Sequence, residues 1–338
     1  MARGAAKRSV GLEIDTGMVR AVEATGTAAR PKLVTMARSP LPDGAVVDGM
    51  ILKPDEVGAA LNNLWSSGRI KHRRVLLGVS NQGVLVRFAT IPKVPKEKLG
   101  GIIRFYAQEH MPLPLESVVL GHQVIGETEA DGKTMLEVLL VAARRDMLDG
   151  FLQALSFARL EPDDIDVSTL ALMRILPLTA LNRTVAVINV ANGLSNILIA
   201  AHGSPRLARL VAAKIKDLSS SLQLPLEQVI KHGSELSSER SQAFEAWLSN
   251  LISEIRSSLN YYLNLENSTD IEAIIYNGSG ALIGGVAPRL EAALGIPVRI
   301  INPFAGFAGA GSHKMGKGFH TVEYAICAGL ARRGLEGS

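Results

Sequence analysis

The chain opens with two alternations of apolar and polar positions. Val10, Leu12 and Ile14 alternate with other residues, Asp15, Thr16 and Gly17 interrupt, and Val19, Ala21 and Glu23 resume the period of two. Successive strand side chains face opposite sides of a sheet, so the pattern predicts a strand, a tight turn and a returning strand. "AVINVANGLSNILIA", residues 186–200, repeats it. Setting Glu13 against Asn189 also sets Gly17 against Gly193. A repeat this widely spaced is no solenoid and predicts two similar lobes, each opening with the same hairpin.

Between the hairpins the pattern changes. Residues 54–68 carry apolar positions at helical spacing, and "RRVLLGVSNQGVLVRFATIP", residues 73–92, reads as a hairpin around Asn81–Gly83. "KLGGIIRFYAQEH" reads as a helix stopped by Pro112 and Pro114. A pair of strands and the amphipathic "DMLDGFLQALSFARL" follow. Residues 39–149 are therefore expected to form a compact α+β insertion in a first lobe core made of residues 1–38 and 150–182. A second lobe core is expected from 183–212 and 270–319, with a helical subdomain at 213–269. The apolar helix at 320–334 is expected to return to lobe 1, where Ala325, Ala328 and Gly329 permit close packing.

Composition narrows the function. Aromatic content of 4% and scattered basic pairs argue against a nucleic-acid surface, despite a net charge of +4. The single cysteine, Cys327, rules out an intramolecular disulfide and a cysteine-based metal cluster, and its apolar setting predicts an inert thiol. The histidines, His313 among them, show no metal-ligand spacing. No apolar run reaches the length of a membrane span, the basic start is not followed by a signal-type apolar run, and "ARRGLEGS" is no amphipathic anchor. These features predict a cytoplasmic protein. The glycine-rich, basic stretch 306–320 lacks the ending of a phosphate loop and reads as a mobile loop.

Four stretches in order carry a resemblance. They are the opening hairpin, "LPDGAVVDGMI", "IRFYAQEHMPLPLESVVLGHQVIG" and "VLLVAARRDMLDGFLQALSFARLEPDDIDVSTLAL". Together they resemble the PilM-type pilus assembly proteins, relatives of the cell-division protein FtsA. The resemblance implies an α/β, two-lobed actin-like (ribonuclease H-like) fold with an FtsA-type 1C subdomain insertion. It implies ATP with Mg²⁺ as cofactor, and as partner the N-terminal tail of a PilN-like bitopic membrane protein, held between lobe 1 and the small subdomain. Candidate anchors for that tail are Phe88, Ile103 and Tyr106. Membrane attachment would run through partners, and a homo-oligomer or ring stays open.

The resemblance also assigns the nucleotide residues. Asp15, Thr16 and Gly17 fall in the first phosphate hairpin, Asn189 and Gly193 in the second, and Gly278, Ser279, Gly280 and Ala281 in an adenosine turn, with Asn302 nearby. Glu13 and Asn189 fall at the metal-facing positions. Several substitutions oppose that chemistry. Glu13 stands for a family Asp, and its longer side chain moves the carboxylate by about 1 Å, a shift that costs about a hundredfold in a catalytic site. Asp15 replaces a Gly and sets a negative charge against the phosphate, or closes an Asx-type turn on its own backbone. Asn189 brings no charge to a hard cation, and Ala191 adds a methyl where backbone must approach. Nucleotide binding is expected to be weak or lost. The expected role is a scaffold, with an ATP-gated switch or weak ATPase, or an FtsA-like filament protein, as alternatives.

Overall fold

The computed structural model describes residues 7–130, 132–232, 238–310 and 320–336. Its strands are β1 (Lys7–Asp15), β2 (Met18–Thr27), β3 (Arg30–Pro40), β4 (Val46–Val47), β5 (Met50–Ile51), β6 (Arg74–Val79), β7 (Val84–Pro92), β8 (Val118–Ala130), β9 (Lys133–Arg144), β10 (Glu161–Val167), β11 (Thr184–Asn189), β12 (Ser195–Ala201), β13 (Ser204–Val211), β14 (Ala273–Asn277) and β15 (Val298–Ile300). Its helices are α1 (Pro54–Ser67), α2 (Lys96–His110), α3 (Arg145–Phe157), α4 (Ser168–Ala171), α5 (Ile215–Leu222), α6 (Leu226–His232), α7 (Ser238–Leu263), α8 (Val286–Leu294) and α9 (Ala325–Gly334).

Two five-stranded sheets share one topology. The first runs β3-β2-β1-β6-β10 and the second β13-β12-β11-β14-β15. In each, a three-strand antiparallel meander is followed by two parallel strands. The repeated alternation of the two hairpins is the trace of this duplication. β1 and β2 are buried on both faces because helices cover both sides of the first sheet. Val10, Leu12 and Ile14 meet Leu61 and Leu64 of α1 and Phe151 and Leu155 of α3. α9 lies on the opposite face, so close to β1 that a Cβ on Gly11 would fall 2.2 Å from the Cys327 carbonyl. In the second sheet, Ala186 and Ile188 pack against α5, α7 and α8.

Local sequence explains the covering helices. α1 starts with Pro at its first turn, followed by Asp55 and Glu56, which suit the positive end of the helix dipole. α3 buries Met147, Leu148, Phe151, Ala154 and Leu155, one stripe at helical spacing. α7 does the same with Phe244, Trp247, Leu248, Leu251, Ile255 and Leu259.

The third sheet, β7-β9-β8, stands apart. Ala89, Ile91, Val138 and Leu140 face α2 and enclose Ile103. The extent expected for the insertion, 39–149, needs correction. β6 is the fourth strand of the first sheet, paired in parallel with β1, and α1 packs on α3. The separate sheet begins only at Val84 and ends at Arg144. For the same reason the hairpin expected over residues 73–92 does not form: β6 pairs with β1 and β10, whereas β7 pairs with β9. Alternation predicts strands but not which partner each strand finds. Of the glycine-rich stretch 306–320, residues 311–319 lie outside the described residues, His313 included. Among the described residues no helix is long and apolar enough to cross a membrane.

Candidate functional site

The two hairpins face each other between the lobes. Asp15 pairs with Met18, so Thr16 and Gly17 form a two-residue turn, with Gly17 at φ 79°. The second ladder closes at Asn189 and Asn196 and leaves a longer loop. Asp15 points into that loop. Its Oδ1 accepts hydrogen bonds from the amides of Thr16 at 2.7 Å and Gly193 at 3.1 Å. Its Oδ2 accepts one from the amide of Asn192 at 3.3 Å. Asn192 Nδ2 donates to the Thr16 carbonyl at 2.6 Å. A Cβ on Gly193 would lie 2.7 Å from both Asp15 Oδ1 and Thr16 Oγ1, so only glycine admits this contact.

Arg20 completes the cluster from the neighbouring strand and is only 3% exposed. Its Nη1 lies 3.9 Å from Glu13 Oε2 and 3.7 Å from Asp15 Oδ2. Its Nη2 lies 3.5 Å from Glu323 Oε1 and donates to Ser279 Oγ at 3.4 Å. Ser279 Oγ donates to Glu323 Oε1 at 2.9 Å, and Arg38 Nη1 lies 3.5 Å from Glu323 Oε2. Burial works against the Arg20 charge, yet Glu13, Glu323 and Asp15 together hold its pKa above the ordinary value. Burial pushes the Glu13 carboxyl up to about 7, against the pull of Arg20. Burial also raises Asp15, opposed by Arg20 and by the three amides.

The third turn is closed on itself and on its neighbours. Gly278 N donates to the Val322 carbonyl, Gly280 N to the Val190 carbonyl and Ala281 N to the Gly278 carbonyl. A Cβ on Gly278, at φ 83°, would lie 2.4 Å from the Val190 oxygen, and one on Gly280 2.6 Å from Val190 Cβ. These glycines let the third turn pack on the second hairpin. Further bonds cross between the lobes: Ser80 Oγ and Thr169 Oγ1 both reach Asn196 Oδ1, at 2.9 and 2.6 Å, and Lys214 Nζ meets Asp48 at 2.5 Å.

Of the residues expected at the nucleotide, the structure thus gathers Asp15, Thr16, Gly17, Gly193 and Ser279, with Asn189, Gly278, Gly280 and Ala281 alongside. Asn302 is a correction. It is exposed, its Oδ1 accepts from the Phe304 amide at 3.0 Å in an Asx-type turn, and it lines a separate hollow beside Met173–Leu181 and Arg332. Glu13 is turned to Arg20 and to the Cys327 thiol, 3.8 Å away, and Asn189 belongs to the other lobe. Among the described residues no group of three or more His, Cys, Asp and Glu is arranged to hold a metal ion. The residues as arranged do not fit a Mg²⁺-bound phosphate at the second hairpin: a carboxylate already takes its amides, and a guanidinium sits among the carboxylates. Sequence reasoning missed Arg20, Arg38, Asn192 and Glu323. The available signal was Arg20 itself, a charge between Val19 and Ala21 in an apolar strand.

A second surface is a groove of about 570 Å³ between lobe 1 and the third sheet. Leu139 and Val141 of β9, Leu148 and Leu152 of α3 and Val119 of β8 line it. β10 and β8, each an edge strand of its sheet, flank it. At the rim Arg333 bridges Asp164 at 2.6 Å and Asp166 at 2.7 Å. The expected anchors are not on it, which corrects their grouping. Phe88 alternates with Ala89 and Ile91, so it faces away from α2 and lines another hollow with Tyr262 and Arg206. Ile103 is core, 2% exposed, and Tyr106 stacks on His110 with centroids 4.0 Å apart. Residues on opposite faces of one sheet share no groove.

Two lobes built on one repeated sheet, meeting at paired hairpins and a glycine turn, define the actin-like ATPase fold. The profile of the family described as "Type IV pilus assembly protein PilM" matches residues 11–335, and the chain belongs to that family. It is similar to a solved PilM-PilN type IV pilus biogenesis complex, at 25% identity, 97% of this chain, 99% of that one and a TM-score of 0.82. It also shares its fold with the ethanolamine utilization protein EutJ from Carboxydothermus hydrogenoformans, at 12% identity, 96% and 89% coverage and a TM-score of 0.57. A diol dehydratase-reactivating factor in nucleotide-free form matches at 8% identity, 96% and 99% coverage and a TM-score of 0.53.

Proposed function

We propose that the chain is an adaptor of the type IV pilus assembly apparatus, which holds the N-terminal cytoplasmic tail of a PilN-like membrane protein in the groove between β10 and β8. The carrying observation is the similarity over 97% of the chain to a PilM-PilN complex, joined to an apolar groove bordered by two open strand edges. Edge strands give an extended peptide main-chain hydrogen bonds, and pockets beside them select its alternate side chains. A volume of about 570 Å³ lies within the range of ligand clefts. The third sheet then serves as a subdomain for capture. The protein works in the cytoplasm and reaches the inner face of the cell membrane through its partner. ATP and Mg²⁺ are not required for this role, and the reading is a scaffold instead of an ATPase.

The test is titration of a labelled tail peptide against the purified protein without nucleotide. Leu152 lies in the groove wall at 40% exposure and outside the buried core, so its replacement should leave the fold intact. Leu152→Asp should weaken binding by about thirtyfold, the loss of a true anchor. Phe105→Ser, on the exposed face of α2, should leave it unchanged. Equal affinity for Leu152→Asp and the parent would remove the groove from the account.

A further inference from the structure

The amides of Asn192 and Gly193 are the donors that the second hairpin presents across the cleft. Successive backbone N–H groups in a turn form a concavity that binds anions. Here the anion is the chain's own. Asp15 brings a carboxylate from the other lobe and accepts both amides, at 3.3 and 3.1 Å. The counter-cation is also built in, because Arg20 lies 3.7 Å from the same carboxylate and 3.5 Å from Glu323. Gly193 is required by this contact, since a Cβ there would strike Asp15 and Thr16. The Asn192 side chain returns a bond to the Thr16 carbonyl, so the two turns hold each other from both sides. The third turn spends its Gly278 and Gly280 amides on protein carbonyls.

We infer that an internal latch, Asp15 on the amides of Asn192 and Gly193 with Arg20 as its counter-ion, stands in place of bound nucleotide and joins the lobes. The closed cleft is then the resting state, and nucleoside triphosphate with Mg²⁺ is not a ligand of the intact chain. The inference rests on the actin-like fold and is independent of the tail-binding reading, since it concerns a different surface and a different ligand.

The experiment has two arms on the full chain. In the first, Mg-ATP and Mg-ADP are titrated by calorimetry and thermal shift. The parent is expected to bind with a Kd weaker than about 1 mM and to show no rise in Tm. Asp15→Gly paired with Asn189→Asp, which frees the amides and restores a cation-facing carboxylate, should tighten binding at least about tenfold. In the second arm, hydrogen exchange is read at Asn192 and Gly193. Both amides should be protected in the parent and unaffected by Mg-ATP, and Asp15→Ala, which removes both accepting oxygens, should speed their exchange at least about tenfold. A parent Kd below about 100 μM overturns the inference. So does rapid parent exchange at both amides, which needs no variant to fold.

Discussion

Replacing Arg20 by Met should be among the most costly single changes in lobe 1. The guanidinium is 3% exposed and faces three carboxylates, at 3.9, 3.7 and 3.5 Å. At an effective dielectric near 20, one unit pair at this range attracts by about 4 kcal/mol before desolvation is counted. Met fills the stem of the side chain but leaves the carboxylates. Asp15 keeps its amides and Glu323 keeps Arg38, so the full sum is not lost. The expected cost is that of stranding one buried partner, about 3–5 kcal/mol. Urea unfolding at pH 8, followed by tryptophan fluorescence, reads it conveniently. Trp65 is buried in lobe 1 and Trp247 in lobe 2. Adding Glu13→Gln and Asp15→Asn to Arg20→Met removes the stranded charges and should recover more than half the loss. A single variant within about 1 kcal/mol of the parent would refute the reasoning, because a buried guanidinium among three carboxylates cannot be that neutral.

Burial raises the Glu13 carboxyl to about 7 against an ordinary 4.5, so the folded state binds the extra proton and the contribution of Glu13 to stability falls as pH rises from 4.5 to 7. Glu13→Gln should match the parent at pH 4 and exceed it increasingly up to pH 8 by chemical denaturation, and an unchanged difference across that range would contradict it. Gly329→Ala should cost about 3 kcal/mol or more, since its Cβ would lie 2.1 Å from the Ala171 carbonyl oxygen, and soluble yield and Tm report it. Gly100→Ala, in the interior of α2 with open space around it, should instead stabilise by about 0.5–1 kcal/mol.

Much of the fold was legible because it is written in local periodicity. The hairpins of β1–β2 and β11–β12, the stripe of α3 and the small residues of α9 all follow from spacing. Long-range pairing was not. β6 and β7 read as one hairpin because both are short apolar runs and a glycine lies between them, yet each finds a partner distant in sequence. The insertion boundary slipped for that reason. At the cleft, the unsuitability of Asp15 for phosphate was visible as a charge where a glycine belongs. Its positive role was not, because the accepting amides lie in the other lobe. Arg20 and Glu323 are more than 300 residues apart and meet only when α9 returns to β1. Phe88, Ile103 and Tyr106 were chosen as apolar residues on neighbouring elements, and strand alternation turns Phe88 to the face of the third sheet opposite α2, which carries Ile103 and Tyr106.

The central claim is capture of an extended tail between two strand edges of lobe 1 and the third sheet. Its most direct measurement is photo-crosslinking of a partner tail peptide to the full chain without nucleotide, with the adducts mapped by mass spectrometry. The account predicts adducts at Val119, Gln123, Leu152 and Ile165, which line the groove beside β8 and β10. Adducts confined to residues 213–338, or crosslinking that requires Mg-ATP, would contradict it.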